Sequence, residues 1–150
     1  MEQKLLPILQ SINTCITYIP LPDEIDPWAI PFLSKTRFQT VYTLPQNTAE
    51  SPLAIAEELK NLYQGKTVCI CIPGTRFDRL GTRYGRGNGW FDRFLAEVPK
   101  GWLRVGITDA THFSETPLLR KTWDQPVDWI LCKKENEWGV IETKTRPLYP

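Results

Sequence analysis

Gly65-Lys66-Thr67-Val68-Cys69-Ile70-Cys71-Ile72-Pro73-Gly74 is the stretch that decides the architecture. From Thr67 to Ile72 the side chains are β-branched or apolar without alternation, and Gly65 and Pro73-Gly74 close the run at its two ends. Such a strand has no face to offer to water. It belongs in a parallel sheet covered by helices on both sides.

The segments on either side alternate strand with helix. Residues 15–19, Cys-Ile-Thr-Tyr-Ile, predict a strand that runs into a stiff loop, residues 20–27, carrying Pro20, Pro22 and Pro27. Asp26 as cap and Pro27 as first helical residue open a short helix through Leu33, limited by Pro31. Residues 38–44 read as a second strand. Ser51-Pro52 begins a helix with Leu53, Ala56, Leu59, Leu62 and Tyr63 on one face and Gly65 as its stop. Residues 90–98 predict another helix, ended by Pro99-Lys100-Gly101, and residues 102–108 and 127–132 two more strands. Residues 138–143 pair back antiparallel after a polar turn. Residues 2–12 predict a short helix with Pro7 in its first turn, and residues 109–126 read as irregular. The expectation is a single-domain three-layer α/β/α sandwich over residues 1–150, with a mostly parallel sheet and an antiparallel C-terminal edge hairpin.

Composition narrows the function classes. The chain is 41% hydrophobic and 23% charged, values of a folded water-facing domain rather than a disordered one. A formal net charge of +1 argues against nucleic-acid binding by bulk charge. No apolar run is long enough to span a membrane, and the N-terminus carries no leader pattern, so a cytoplasmic protein is expected. The four cysteines, 15, 69, 71 and 132, form no Cys-x-x-Cys pair and read as small buried side chains in a reducing compartment. The single histidine, His112, would have to serve any histidine-based dyad, and its irregular segment assigns it no role.

Beyond Pro73-Gly74 the chain reaches Arg83-Tyr84-Gly85-Arg86-Gly87-Asn88-Gly89-Trp90-Phe91-Asp92-Arg93-Phe94-Leu95. Its glycines let backbone N–H groups turn toward an anion, and a helix starting near Trp90 adds its positive dipole end at the same spot. Arg76, Arg79, Arg83, Arg86 and Arg93 lie in or beside the stretch, against Asp78 and Asp92. The spacing is neither that of a P-loop nor that of the dinucleotide fingerprint. On residues alone it reads as a phosphate or nucleotide site, or as a plain glycine-rich turn ahead of a helix. Asp92 either binds Mg²⁺ carried on phosphates or only favours its own helix dipole. If the strands before residues 20–27 and before Pro73 are parallel, their loops share one rim, where ligands of α/β sheets sit.

Ile72-Pro73-Gly74-Thr75-Arg76-Phe77-Asp78, followed by Gly81-Thr82-Arg83 and the stretch through Leu95, resembles the signature of the 5-formyltetrahydrofolate cyclo-ligases, also called methenyltetrahydrofolate synthetases. Tyr18-Ile19-Pro20-Leu21-Pro22-Asp23-Glu24-Ile25-Asp26 and Trp123-Asp124-Gln125-Pro126-Val127-Asp128 are similar to two flanking segments of that family. The resemblance implies ATP- and Mg²⁺-dependent closure of 5-formyltetrahydrofolate to 5,10-methenyltetrahydrofolate, with phosphoryl transfer making the formyl oxygen a leaving group. Catalysis of that kind is positioning and charge stabilisation, and it needs no protein nucleophile. By matching position, Arg83, Tyr84, Gly85, Arg86, Gly87, Asn88, Gly89, Trp90 and Phe91 would bind ATP. Arg86 and Asp92 would be catalytic, Asp92 and Asp124 would hold Mg²⁺, and Glu24, Arg86 and Trp90 would face the folate. Against these stand plainer readings: Trp90 as core, and Glu24 as an exposed loop charge.

The chain departs from the family before its first strand, where Lys4 is the only basic residue in place of a basic helix. A homo-oligomer, a partner chain or the chain's own C-terminal tail would then complete the site. The alternative reading is a non-catalytic paralogue that binds a folate, a nucleotide or a phosphorylated ligand, or an interaction module.

Overall fold

A computed structural model of the chain describes residues 2–46 and 49–143. Its centre is a six-stranded sheet in the order β2-β1-β3-β6-β8-β9, formed by Thr40–Leu44, Thr14–Tyr18, Val68–Ile72, Leu103–Asp109, Trp129–Lys134 and Glu137–Glu142. The first five strands are parallel, and β9 returns antiparallel to β8, with Lys134 opposite Glu137. The strand read first, β3, is buried along its whole length between β1 and β6.

Strand alternation sorts the core into two layers. Val68, Ile70 and Ile72 point to one face of the sheet, where Pro52–Leu62 (α3) and Trp90–Glu97 (α4) bring Ile55, Leu59, Phe94 and Leu95. Cys69 and Cys71 point to the other face, under Glu2–Gln10 (α1) and Pro31–Ser34 (α2), with Leu5, Leu9, Ile30 and Leu33. The Cys15 and Cys71 sulfurs lie 3.9 Å apart in that layer, and all four cysteines are free. The three-layer sandwich and its antiparallel edge are therefore present as expected.

Besides the buried face of α3, where Ile55 is buried while the expected Leu53 and Leu62 are exposed, three local expectations change. The helix expected through Leu33 is a single 3₁₀ turn, Pro27–Ala29, followed by α2. Asp26 does cap it, accepting from the Trp28 N–H at 3.0 Å, but the ring of Pro31 holds Ile30 extended (φ −91°, ψ 119°) and breaks the helix there. Pro7 sits in the middle of α1 rather than in its first turn. The exposed ring takes away one helix hydrogen bond, and the fully buried Leu5 and Leu9 hold the helix on the sheet regardless.

The third change is a second, small sheet. Arg76–Asp78 (β4) pairs antiparallel with Arg83–Tyr84 (β5) and parallel with Phe113–Ser114 (β7), so residues 109–126 are not wholly irregular. Asp78, 1% exposed, holds this sheet together through its carboxylate. One oxygen accepts from the Leu80 and Thr82 N–H groups, both at 2.9 Å, and the other from Leu118 N–H at 2.7 Å. Those three bonds pin the segment after β7 against the turn between β4 and β5.

Candidate active site

The chain passes from β1 outward to β2, then returns to place β3 on the opposite side of β1, and from there continues away through β6 and β8. The direction of winding therefore reverses between β1 and β3. Loops leaving the carboxyl ends of two such strands diverge and leave a crevice between them. Here the loops are residues 19–26 after β1 and the segment after Ile72, so the two loops singled out in the sequence do share one rim.

The crevice is a cleft of about 470 Å³, within the range of small-molecule sites. Ile19, Leu21 and Glu24 line one wall, Leu44, Pro45 and Gln46 a second, and the glycine loop and the start of α4 a third. Leu119, Lys121, Trp123 and Asp124 complete the mouth.

Arg86 closes the gap between the two loops. Its Nη2 donates to Asp23 at 2.8 Å and its Nε to Glu24 at 3.3 Å. The hydrogen bond from Arg86 holds the Asp23 carboxyl below its usual range, and the same contact, with help from Glu24, raises the guanidinium pKa. Glu24 is far from a loose surface charge: its side chain is 10% exposed, and its other oxygen accepts from Leu21 N–H at 2.9 Å. Below it Tyr18 is buried, and its hydroxyl donates to the Ile25 carbonyl at 2.7 Å. Burial first, then the charges of Glu24 and Asp26 among others, raise its pKa, so the phenol stays protonated.

Arg83 lies deeper. It is 4% exposed, its Nη1 donates to the Pro73 carbonyl at 2.9 Å, and its guanidinium sits 5.3 Å from the centre of the Phe91 ring. Burial pulls its pKa down, while the charges of Asp92, Asp124 and Glu24 act in the opposite sense. The guanidinium thus forms the floor of the cleft.

The glycine loop is shaped by its backbone. Gly87 (φ 96°) and Gly89 (φ 69°) lie in the left-handed region that only glycine enters at low cost, and Gly89 is the N-cap of α4. Asn88 contributes the cap that Gly89 lacks, its side-chain oxygen accepting from Trp90 N–H at 3.0 Å. Trp90 is 6% exposed: its ring stacks on Phe94 with centroids 5.3 Å apart, and its Nε1 donates to the Glu50 carbonyl at 2.9 Å. It borders the cleft as part of the core wall.

Asp92 and Asp124, far apart in the chain, are brought together. Asp92 Oδ1 accepts from the N–H of Gln125, the residue after Asp124, at 3.0 Å. Asp124 Oδ2 accepts from Lys121 N–H at 2.8 Å. Each carboxylate thus has one oxygen engaged and both line the cleft. Among the described residues no group of three or more His, Cys, Asp or Glu side chains is placed to hold a metal. Two carboxylates facing an open cleft do not make an all-protein metal cage. They suit a hard cation that keeps waters and arrives bound to phosphate oxygens, the habit of Mg²⁺.

With this geometry in place, the comparison with known proteins is direct. The model of the 5-formyltetrahydrofolate cyclo-ligase family matches residues 17–133, most of the chain, including every residue just described from Tyr18 to Asp124. The chain belongs to this family. It is an enzyme, a ligase of folate metabolism. Two curated relatives are the 5-formyltetrahydrofolate cyclo-ligases of Mycoplasma pneumoniae and Mycoplasma genitalium. The first is 26% identical over 136 residues, covering 87% of this chain and 80% of its own. The second is 26% identical over 138 residues, covering 87% and 81%. Two solved cyclo-ligase folds agree. The 5,10-methenyltetrahydrofolate synthetase of Mycoplasma pneumoniae superposes with a TM-score of 0.56 at 23% identity, covering 85% of this chain and 79% of that one. The Aquifex aeolicus synthetase superposes at 0.61 and 22% identity, covering 99% and 81%. Among the described residues no helix is long and apolar enough to cross a membrane.

Sequence reasoning missed part of this cyclo-ligase cleft. Lys121 and Leu119 were not singled out, although Leu118-Leu119-Arg120-Lys121-Thr122-Trp123 places apolar and basic residues side by side in a segment without helical or strand period.

Proposed function

We propose that the chain closes the ring of 5-formyltetrahydrofolate to 5,10-methenyltetrahydrofolate, consuming Mg-ATP, as a single domain in the cytoplasm. The observation that carries this reading is that Glu24, the glycine loop, Asp92 and Asp124 converge on one cleft at the reversal point of the sheet. Mg-ATP supplies the phosphoryl group that turns the formyl oxygen into a leaving group. N10 then bonds to the formyl carbon as the C–O bond breaks, and ADP and inorganic phosphate are released.

The roles of the residues follow from their places. The backbone of residues 85–89 and the N-terminus of α4 present N–H groups toward phosphate oxygens. Asp92 and Asp124 hold the cation that accompanies them. Buried Arg83 lends positive charge from below without being exposed to solvent. Glu24, fixed by Arg86 and by Leu21 N–H, accepts hydrogen bonds from the pterin, beside the apolar wall of Ile19 and Leu21. Arg86 sits at the junction of the two halves, positioned to balance charge that develops on the transferred group.

The deciding experiment mixes the protein with 5-formyltetrahydrofolate and Mg-ATP and follows the absorbance of the methenyl product. Wild type turns over, and Asp92→Asn, whose amide oxygen still accepts from Gln125 N–H, folds but does not. Absence of turnover in wild type with nucleotide binding intact would reduce the chain to a binding protein. Absence of both would remove the site assignment.

A further inference from the structure

Three cations line the cleft, and two of them are already committed. Arg83 is buried and donates to the Pro73 carbonyl. Arg86 is held at the junction of the two loops by its pairs with Asp23 and Glu24. The third, Lys121, is exposed, and among the described residues no carboxylate lies within ion-pair distance of its ammonium. Its Nζ rests 5.3 Å from the centre of the Trp123 ring. Trp123 is 63% exposed, the most exposed tryptophan among the described residues.

An exposed tryptophan on a surface loop calls for no explanation by itself. This one is carried on a segment pinned at many points. Leu118 N–H donates to Asp78, and the Leu119 carbonyl accepts from the Tyr84 hydroxyl at 2.7 Å. Arg120 donates to the Leu80 carbonyl and to Thr82 Oγ1, both at 2.9 Å. Lys121 and Asp124 close a turn with bonds in both directions, and Gln125 N–H reaches Asp92. Tight anchoring of the backbone, with an exposed ammonium and the exposed indole it rests against both lining the cleft, is the build of a ligand contact. The turn also sets Lys121 three residues from Asp124, next to the two carboxylates suited to a phosphate-bound cation.

We propose that Lys121 and Trp123 form the nucleotide end of the cleft, the ammonium taking phosphate oxygens and the indole stacking on the base. This rests on the reading given under Proposed function and assigns the mouth of the site to its nucleotide rather than to its folate. The folate end is then the opposite wall, at Ile19, Leu21 and Glu24.

The test separates the two halves of the ligand. Dissociation constants of wild type, Lys121→Met, Lys121→Arg, Trp123→Ala and Trp123→Phe are measured calorimetrically for Mg-ADP, Mg-ATP and magnesium tripolyphosphate. KM is measured for ATP and for 5-formyltetrahydrofolate. Loss of Lys121 weakens both nucleotide and tripolyphosphate roughly tenfold, and arginine restores most of the loss. Loss of Trp123 weakens only the nucleotides, by roughly tenfold, and phenylalanine keeps most of the binding. The KM for the folate stays within about twofold of wild type, because neither side chain reaches that end in this arrangement. Unchanged nucleotide binding in both Lys121→Met and Trp123→Ala overturns the proposal, as does a rise in the folate KM alone. A wild-type protein that binds no nucleotide overturns the underlying reading as well.

Discussion

Gly106 lies directly against the ring of Phe77: a Cβ at residue 106 would sit 2.5 Å from Phe77 Cε2. On its other side the same ring approaches Gly74, where a Cβ would lie 3.0 Å from Cε1. The small sheet is therefore seated on the large one by an aromatic ring held between two residues that lack side chains. Phe77 is fully buried and has nowhere to retreat. Gly106→Ala is expected to cost about 1–3 kcal/mol, and thermal unfolding measures it. Phe77→Leu combined with Gly106→Ala should recover part of the loss, since the smaller side chain frees room for the methyl.

Asp78→Ala leaves three buried or half-buried N–H groups, those of Leu80, Thr82 and Leu118, without their acceptor. Each such loss costs about 1–3 kcal/mol, so a total of about 3 kcal/mol or more is expected in denaturant unfolding. Asp78→Asn should be milder, because its carbonyl oxygen can keep the Leu80 and Thr82 bonds while its amide nitrogen faces the Leu118 donor.

Breaking the Arg86–Glu24 contact should affect catalysis far more than folding. The pair joins two loops, and the Arg86 side chain is 40% exposed, so Arg86→Met should change stability by less than about 1 kcal/mol. Turnover should fall by roughly 100-fold, as for the removal of one group that stabilises charge in a transition state. A double-mutant cycle with Glu24→Gln should be non-additive in kcat/KM, because each residue sets the position of the other. Additive effects would show two independent contacts.

Acid should act through Asp109. Burial opposes ionisation there, but hydrogen bonds from Thr111 and His112 outweigh it and hold the carboxyl below its usual value. A carboxyl with a depressed folded pKa stabilises the fold above its unfolded value, about pH 4, and that stabilisation is lost as pH falls through the folded value. Asp109→Asn should therefore lower the melting temperature relative to wild type at pH 6, and the gap should shrink below about pH 4. A gap that is constant from pH 6 to pH 3 would contradict this.

The parallel sheet was legible because β3 is apolar on both faces, a pattern that a one-sided sheet would not tolerate. The position of the cleft followed from it, since two polar loops leaving parallel strands must share a rim. The small sheet was not legible. Its strands are two or three residues long, and what holds them is Asp78 reaching Leu118 across the chain rather than any local period. The arginines show a similar limit. Charge pattern marked five arginines, 76, 79, 83, 86 and 93, as a phosphate-binding neighbourhood, but whether a guanidinium is exposed depends on which carbonyl or carboxylate the fold sets beside it. Lys121 was passed over for the converse reason: nothing nearby in sequence announces that, among the described residues, it rests on Trp123 with no carboxylate in ion-pair reach.

The reversal of the sheet at β1 and β3 also governs how the molecule must come into being. β8 and β9 are joined by a tight turn and can pair as soon as both exist. Every other neighbour in the large sheet is parallel and is separated by an intervening crossover, as Thr14 is from Val68. Loop closure must be complete before these pairings repay it, which favours slow folding. The cleft takes its walls from residues as distant as Tyr18 and Asp124, so it exists only when nearly all of those pairings are in place. Ligand binding in a refolding reaction should then appear with the last phase, and a nascent chain still short of residue 124 has no site to protect.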